Sequence, residues 1–191
     1  MNELTKKFVL INGPSRVGKD TLAEFLESSL GMVHKKLSRP LKIAVEGMFL
    51  ISGQALEAYK DMPSAVLLGL SGREWQIRLY NTLSDVGGKS VLADLFISDV
   101  IRDHWWSYDK FVVSDLGRVE ELIAFIETFG VDNILVVRVF SPITAGHFVS
   151  KDSREYIPEG LDGLNVIDIS NNGKQDFLHT GLKKVKKWLE I

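Results

Sequence analysis

Four short apolar runs constrain this chain more than any other feature. They are Phe8-Val9-Leu10-Ile11, Phe111-Val112-Val113, Ile134-Leu135-Val136-Val137 and Val166-Ile167-Asp168-Ile169. They lack the in–out alternation of a half-exposed sheet, so they read as parallel strands buried on both faces. Met32 to Leu37 is a weaker fifth candidate; Lys35 and Lys36 interrupt it, which suits a short strand or a sheet edge. Amphipathic helical patterns alternate with the runs. Leu22, Phe25, Leu26 and Leu30 share a face, with Gly31 as the C-terminal stop. Val119, Leu122, Ile123 and Ile126 form a second stripe ending near Gly130, and Phe177, Leu178, Leu182, Val185, Trp188 and Leu189 form a third. This alternation predicts an α/β fold of βαβ units, with helices on both faces of the sheet.

The 191 residues suffice for a single domain, 1–191, with its own core. Between Pro40 and Trp106 the text is mostly helical, broken at Gly53, Pro63, Gly69 to Gly72 and Gly87-Gly88, which marks a helical region over 38–106. Residues 141–163 fit neither period and carry Pro142, Gly146, Pro158, Gly160 and Gly163; so long a loop in a compact domain reads as a lid. The absence of cysteine excludes disulfides, thiolate metal sites and thiol nucleophiles. The net charge of -2 gives no bulk attraction to nucleic acid or anionic membrane, and no apolar stretch is long enough for a span. The expectation is a soluble, cytoplasmic protein acting on small molecules, without nucleic-acid or membrane partners; a homodimer is left open.

The chemistry is signalled by Gly13-Pro14-Ser15-Arg16-Val17-Gly18-Lys19-Asp20-Thr21. This matches the phosphate-loop pattern G-x-x-x-x-G-K. It follows the first strand and opens the first helix, the context in which the pattern is meaningful. Glycines let the backbone wrap closely round phosphate oxygens, the amides and helix N-terminus favour an anion, and Lys19 supplies a mobile charge for the β- and γ-phosphates. Asp20 departs from the pattern, since Ser or Thr usually stands there to ligate Mg²⁺. A carboxylate is also a hard Mg²⁺ ligand, directly or through water, though without a metal it would repel phosphate. Thr21 then faces the α-phosphate. Asp115, at the end of the Phe111 strand, is placed to hold the Mg²⁺ shell or to position the acceptor; alternatively, it caps the next helix.

A phosphate loop does not name a reaction. No Asn-Lys-x-Asp base-reading motif of GTPases is present, and the chain is short for a helicase or motor. Small size, a phosphate loop and a charged lid segment point to a small-molecule kinase using ATP and Mg²⁺. The four histidines show no ligand spacing, and Lys183, Lys184, Lys186 and Lys187 read as a solvated helix face.

Arg16 to Thr21 (Arg-x-Gly-Lys-Asp-Thr) resembles the loop of phage-type deoxynucleoside monophosphate kinases, members of the phosphate-loop kinase superfamily. Animal-type phosphomevalonate kinases have a similar Gly-Lys-Asp turn. Leu37-Ser38-Arg39-Pro40-Leu41-Lys42 resembles the turn into that family's acceptor-binding helices, and Tyr108 to Asp115 its strand ending in Asp. Glu121 matches an acidic position in the following helix. Val136-Val137-Arg138 resembles the strand before its lid, and Gly160 to Gly173 its last strand and Asn-x-Gly turn. Arg73-Glu74-Trp75-Gln76 is similar to an Arg-x-x-x-Gln helix with the Gln one position early. The family's Arg two residues after the strand-end Asp is here Gly117, with Arg118 one later.

The resemblance implies a five-stranded sheet in the order 2-3-1-4-5, with phosphoryl transfer from ATP to a deoxynucleoside monophosphate. A phage origin would place it in the cytoplasm of a bacterial host. Under that reading Lys19, Asp115, Arg138 and Arg154 are catalytic. Gly13 to Thr21 and Asn171 hold ATP, Asn171 at the adenine. Arg39, Lys42, Arg73 and Gln76 hold the acceptor, and Asp20 and Asp115 the metal. Arginine suits phosphoryl contacts because its planar fork pairs with two oxygens. Two alternatives stay open: the same fold acting on a phosphomevalonate-like or dephospho-coenzyme A-like acceptor, and a nucleotide-binding regulatory module without turnover.

Overall fold

The computed structural model describes residues 6–104, 107–142, 156–158, 160–161, 163–173 and 176–191. The strands are β1 (Lys7–Asn12), β2 (Val33–Lys35), β3 (Lys110–Leu116), β4 (Ile134–Phe140) and β5 (Asn165–Ser170). The helices are α1 (Lys19–Leu30), α2 (Arg39–Phe49), α3 (Gly53–Ala58), α4 (Gly72–Gly87), α5 (Val91–Asp99), α6 (Val119–Phe129) and α7 (Asp176–Leu189). The described strands form one parallel sheet in the order β2-β3-β1-β4-β5. This is the predicted order. β2 is a three-residue edge strand, as its lysines suggested.

Alternate residues of each inner strand feed opposite layers. Phe8, Leu10, Phe111, Val113, Ile134 and Val136 face α2, α4, α5 and α6 through Leu41, Tyr80, Phe96, Leu122 and Phe125. Val9, Ile11, Val112, Leu135 and Val137 face α1 and α7 through Leu22, Ala23, Leu26, Phe177 and Val185. Two expectations are corrected. β5 is an edge rather than a fully buried strand: Ile169 is buried and Asp168 exposed, because among the described residues no strand lies beyond it. On α6, Ile123 points to solvent, while Leu122, Ala124, Phe125 and Glu121 are buried.

Phe8 anchors the larger layer. Its ring stacks on Phe111 at 5.3 Å and meets Phe125 at 5.4 Å and Phe129 at 4.3 Å between centroids. No helix among the described residues is long and apolar enough to cross a membrane. Of the expected lid, residues 143–155, 159 and 162 lie outside the described residues, Arg154 among them, as do Trp105 and Trp106.

Phe8→Ala removes an aromatic ring from a site with no exposure, which predicts a loss of about 3–5 kcal/mol in stability by equilibrium urea unfolding. A loss below about 1 kcal/mol would contradict this packing scheme.

Candidate active site

Parallel pairing brings the C-terminal ends of β1, β3 and β4 to one edge, with Asn12 opposite both Leu116 and Arg138. The phosphate loop leaves β1 there. Gly13 has φ 147°, and a Cβ on it would lie 2.6 Å from the Val139 carbonyl oxygen. Gly18 has φ 97°, and its Cβ would lie 2.6 Å from Asn171 Nδ2. Both positions therefore require glycine on two counts, backbone angle and space. Arg16 also takes a positive φ, 67°, at the tip of the loop. Lys19 Nζ donates to the carbonyls of Gly13 at 2.8 Å and Pro14 at 2.5 Å, which lays the ammonium across the loop.

A cavity of about 500 Å³ opens beside this loop. Its lining takes Ser15, Arg16, Gly18, Lys19, Asp20 and Thr21 from the loop and the start of α1, the polar side chains of Lys42, Lys60, Arg73 and Gln76, and the apolar side chains of Leu41, Ile77, Tyr80 and Leu92. Asp115, Arg118 and Glu121 also line it. Arg16 and Arg73 lie close together, both paired with Asp61, at 3.7 Å and 2.7 Å. The expected loop residues and the expected acceptor residues Lys42, Arg73 and Gln76 thus share one cavity. Gly13, Pro14 and Val17 shape the loop without lining the cavity; Arg39, Arg138 and Asn171 are not among its lining residues.

Arg138 and Asn171 have other surroundings. Asn171 Nδ2 donates to the Val17 carbonyl at 2.9 Å and its Oδ1 accepts from Gly173 N at 3.0 Å, so it braces the phosphate loop from behind. Arg138 is 7 % exposed and forms a bidentate pair with Asp168, both contacts at 2.7 Å. The register sets these residues side by side on β4 and β5. Arg138 also donates to the Ile157 carbonyl at 3.1 Å, while Ile157 N donates to Asn12 Oδ1 at 3.0 Å. Arg138 and Asn12 together tie the returning segment to the strand ends.

Asp115 does not cap α6. Its Oδ1 accepts from Leu37 N at 2.7 Å, and its Oδ2 from Ser38 N at 3.0 Å and Ser38 Oγ at 2.6 Å. It therefore fixes the turn from β2 into α2. Asp20 sits in the first turn of α1; its Oδ1 accepts from Ser114 Oγ at 2.7 Å and its Oδ2 from Lys36 Nζ at 2.8 Å. Burial alone would raise the Asp20 carboxyl, but hydrogen bonds from Lys36 and Ser114 outweigh it and hold it below the usual range.

The sequence reading missed Lys36 and Lys60 as site residues, and Tyr80 and Asn81 as cavity walls. The last two had a signal: residues 73, 76, 77, 80 and 81 recur at helical spacing on one face of α4. Arg118, one position late for the family pattern, nevertheless turns into the cavity. Its guanidinium lies 3.8 Å from the Tyr80 ring centroid and pairs with Glu121 at 3.2 Å. Glu121 is 2 % exposed and accepts from the amides of Gly117 at 3.0 Å and Arg118 at 3.2 Å, so one carboxylate sets both the turn and the arginine. Burial pushes its carboxyl up to about 7, against the opposing pull of those partners.

Among the described residues no cluster of three His, Cys, Asp or Glu could cage a metal. Mg²⁺ does not need one, because it is commonly held by one or two carboxylates, waters and the substrate's phosphates. Asp20 fits that donor set: a hard oxygen ligand, half-exposed, in the first turn after Lys19. Asp115, with both oxygens engaged by the Leu37–Ser38 turn, fits contact through an ordered water.

No family model and no curated protein matches the chain. Among solved structures it is similar to a candidate kinase from Chloroflexus aurantiacus j-10-fl, with a TM-score of 0.56 and 14 % identity over 97 % of each chain. It also aligns with a sugar kinase from Janibacter sp. HTCC2649 (TM-score 0.49, 11 % identity, 97 % of this chain and 95 % of that one). A third is the Mycobacterium tuberculosis APS kinase CysC, solved with AMPPNP and APS (TM-score 0.47, 15 % identity, 98 % and 99 %). The first shows that this chain shares the fold of the Chloroflexus protein, and the strand order is the one expected from the sequence.

The raised Glu121 carboxyl predicts a pH dependence. The folded state holds this proton more tightly than the unfolded chain, whose glutamate titrates near 4.5. The stabilisation is therefore full below 4.5 and is lost as pH rises through about 7. Melting curves from pH 5 to 8.5 should show a decline in the native protein that Glu121→Gln lacks; parallel curves would refute the assignment.

Proposed function

We propose that this chain is an ATP- and Mg²⁺-dependent kinase that transfers the γ-phosphoryl group of ATP to the phosphate of a deoxynucleoside monophosphate, giving ADP and the diphosphate. The observation that carries the reading is the shared cavity. The phosphate loop, a second set of cations at Lys42, Lys60 and Arg73, and the apolar side chains of Leu41, Ile77, Tyr80 and Leu92 all line it. The kinase fold shared with the Chloroflexus protein supports it.

The carboxylates favour a phosphate over a hydroxyl as acceptor. A hydroxyl needs a general base to take its proton, whereas a phosphate dianion brings its own anionic nucleophile. Asp20, Asp115 and Glu121, the carboxylates lining the cavity among the described residues, are each already engaged by hydrogen bonds.

In this mechanism Lys19 and the loop amides hold the donor's terminal phosphates. Lys42, Lys60, Arg73 and Arg118 face the acceptor phosphate. In the structure Lys42 and Lys60 pair with Glu57, and Arg73 and Arg16 with Asp61, so these cations are presented in fixed places at the rim. An acceptor oxygen attacks the γ-phosphorus as the bond to the β,γ-bridging oxygen breaks. Asp20 would hold Mg²⁺, which would supply charge neutralisation to the transferring phosphate. Arg138 fixes the segment at Ile157. Arg154 is the lid's candidate cation at the moving group.

A second reading, a non-nucleotide phosphate acceptor resembling phosphomevalonate, draws on the same rim. Four cations against two carboxylates there leave a net charge matched to any phosphomonoester.

The test is ADP release from Mg-ATP across dAMP, dGMP, dCMP, dTMP and the matching ribonucleotides. Release well above background ATPase with a deoxynucleotide is expected; a flat panel with ATP still bound would move the acceptor to the second reading. Lys19→Ala should lower turnover on the order of 10²-fold or more while the fold persists, by analogy with loss of a preorganised donor. Full turnover in that variant would refute the site.

A further inference from the structure

Asp20 creates an electrostatic difficulty that a hydroxyl at the same place would not. A carboxylate one residue after Lys19, on the wall of a phosphate cavity, repels a triphosphate unless a cation compensates it. The structure places such a cation there. Lys36, at the end of β2, reaches across to α1 and sets its ammonium 2.8 Å from Asp20 Oδ2. The carboxylate is held from its other side by Ser114 Oγ at 2.7 Å, and Ser114 is in turn 2.8 Å from His34 Nε2. The carboxylate is thus fixed in orientation, with one oxygen committed to the sheet and the other turned to Lys36.

We propose that Lys36 is a displaceable counter-cation for Asp20: its ammonium and the nucleotide-bound divalent ion compete for one carboxylate oxygen, and Lys36, once displaced, serves the acceptor side. The inference rests on the kinase reading above. Two cations on one oxygen repel each other, so one of them must leave. Lys36 is the one able to move, because its side chain is 34 % exposed and its charge rides on a flexible four-carbon stem. Its destination is short. Lys36 lines the same cavity as Lys42 and Arg73, between the phosphate loop and the Leu37–Ser38 turn fixed by Asp115. The compensation of Asp20 therefore passes from protein to metal as the donor binds, and a positive charge becomes available to the acceptor phosphate at that step.

Replacing Lys36 should then have two effects of opposite sense: easier capture of the metal, and weaker handling of the acceptor. Calorimetric titration of ATP at a series of Mg²⁺ concentrations measures the first without turnover. In Lys36→Met the Mg²⁺ concentration giving half of the affinity gain should fall about two- to fivefold, the upper part of the range expected for losing a partly exposed ion pair. Lys36→Arg, which keeps the charge, should stay near the native midpoint. In an Asp20→Asn background, Lys36→Met should add no further shift. The acceptor KM should rise in Lys36→Met with little change in the ATP affinity at saturating Mg²⁺. Melting temperatures confirm folding, and Lys36→Gln replaces the methionine variant if that one fails to fold. An unchanged Mg²⁺ midpoint, or an equal shift with and without Asp20, would overturn the inference while leaving the kinase reading intact. Native protein that binds ATP without any Mg²⁺ dependence, or binds none, would overturn both.

Discussion

The site depends on the parallel pairing of β1 with β3 on one side and β4 on the other. Parallel strands all end at the same edge, so the turns that follow them converge without further design. The loop after β1 supplies the phosphate cradle; the end of β3 supplies Asp115, the turn after it Arg118, and the first turn of α6 Glu121. The end of β4 supplies Arg138. The mixed apolar faces of these strands fix the register, since a one-residue slip would exchange the Phe8 layer for the Val9 layer on every strand. The register in turn makes Arg138 and Asp168 neighbours and sets Asn12 between Leu116 and Ile157.

Charge at the site is arranged in pairs rather than left as a bare positive patch. Lys36 pairs with Asp20, Lys42 and Lys60 with Glu57, Arg73 and Arg16 with Asp61, and Arg118 with Glu121. Exposed pairs of this kind add little stability, from nothing to about 1 kcal/mol each. Their significance is positional. The carboxylates Asp20, Glu57 and Asp61 hold these cations in place, and under the proposed function a phosphate would take the cations over. Arg118–Glu121 differs, because Glu121 is buried and also anchors two amides, so that pair serves the shape of the cavity.

Much of this was legible in the chain itself. Unbroken apolar runs give strands and amphipathic stripes give helices, because burial acts residue by residue along a local period. The phosphate loop was legible because strand, glycines, lysine and helix must follow one another in sequence. What was not legible depends on side chains meeting across the fold. Lys36 read only as an interruption of a strand, since nothing local shows that it faces Asp20. Arg118 read as misplaced by one position, yet the extended backbone at its helix start turns it over Tyr80. Arg138 and Asn171 read as ligand contacts; in the structure both brace loops, through partners 19 to 154 residues away in sequence.

The central claim is that one cavity, lined by both the phosphate loop and the cations Lys42, Lys60 and Arg73, receives two phosphate-bearing ligands in line. A bisubstrate compound, adenosine joined through a polyphosphate bridge to a deoxynucleoside, tests this most directly by calorimetry. The account predicts one compound per chain, bound more tightly than ATP, with the gain lost when Arg73 is replaced by Ala. Binding no tighter than ATP, or two compounds per chain, would contradict it.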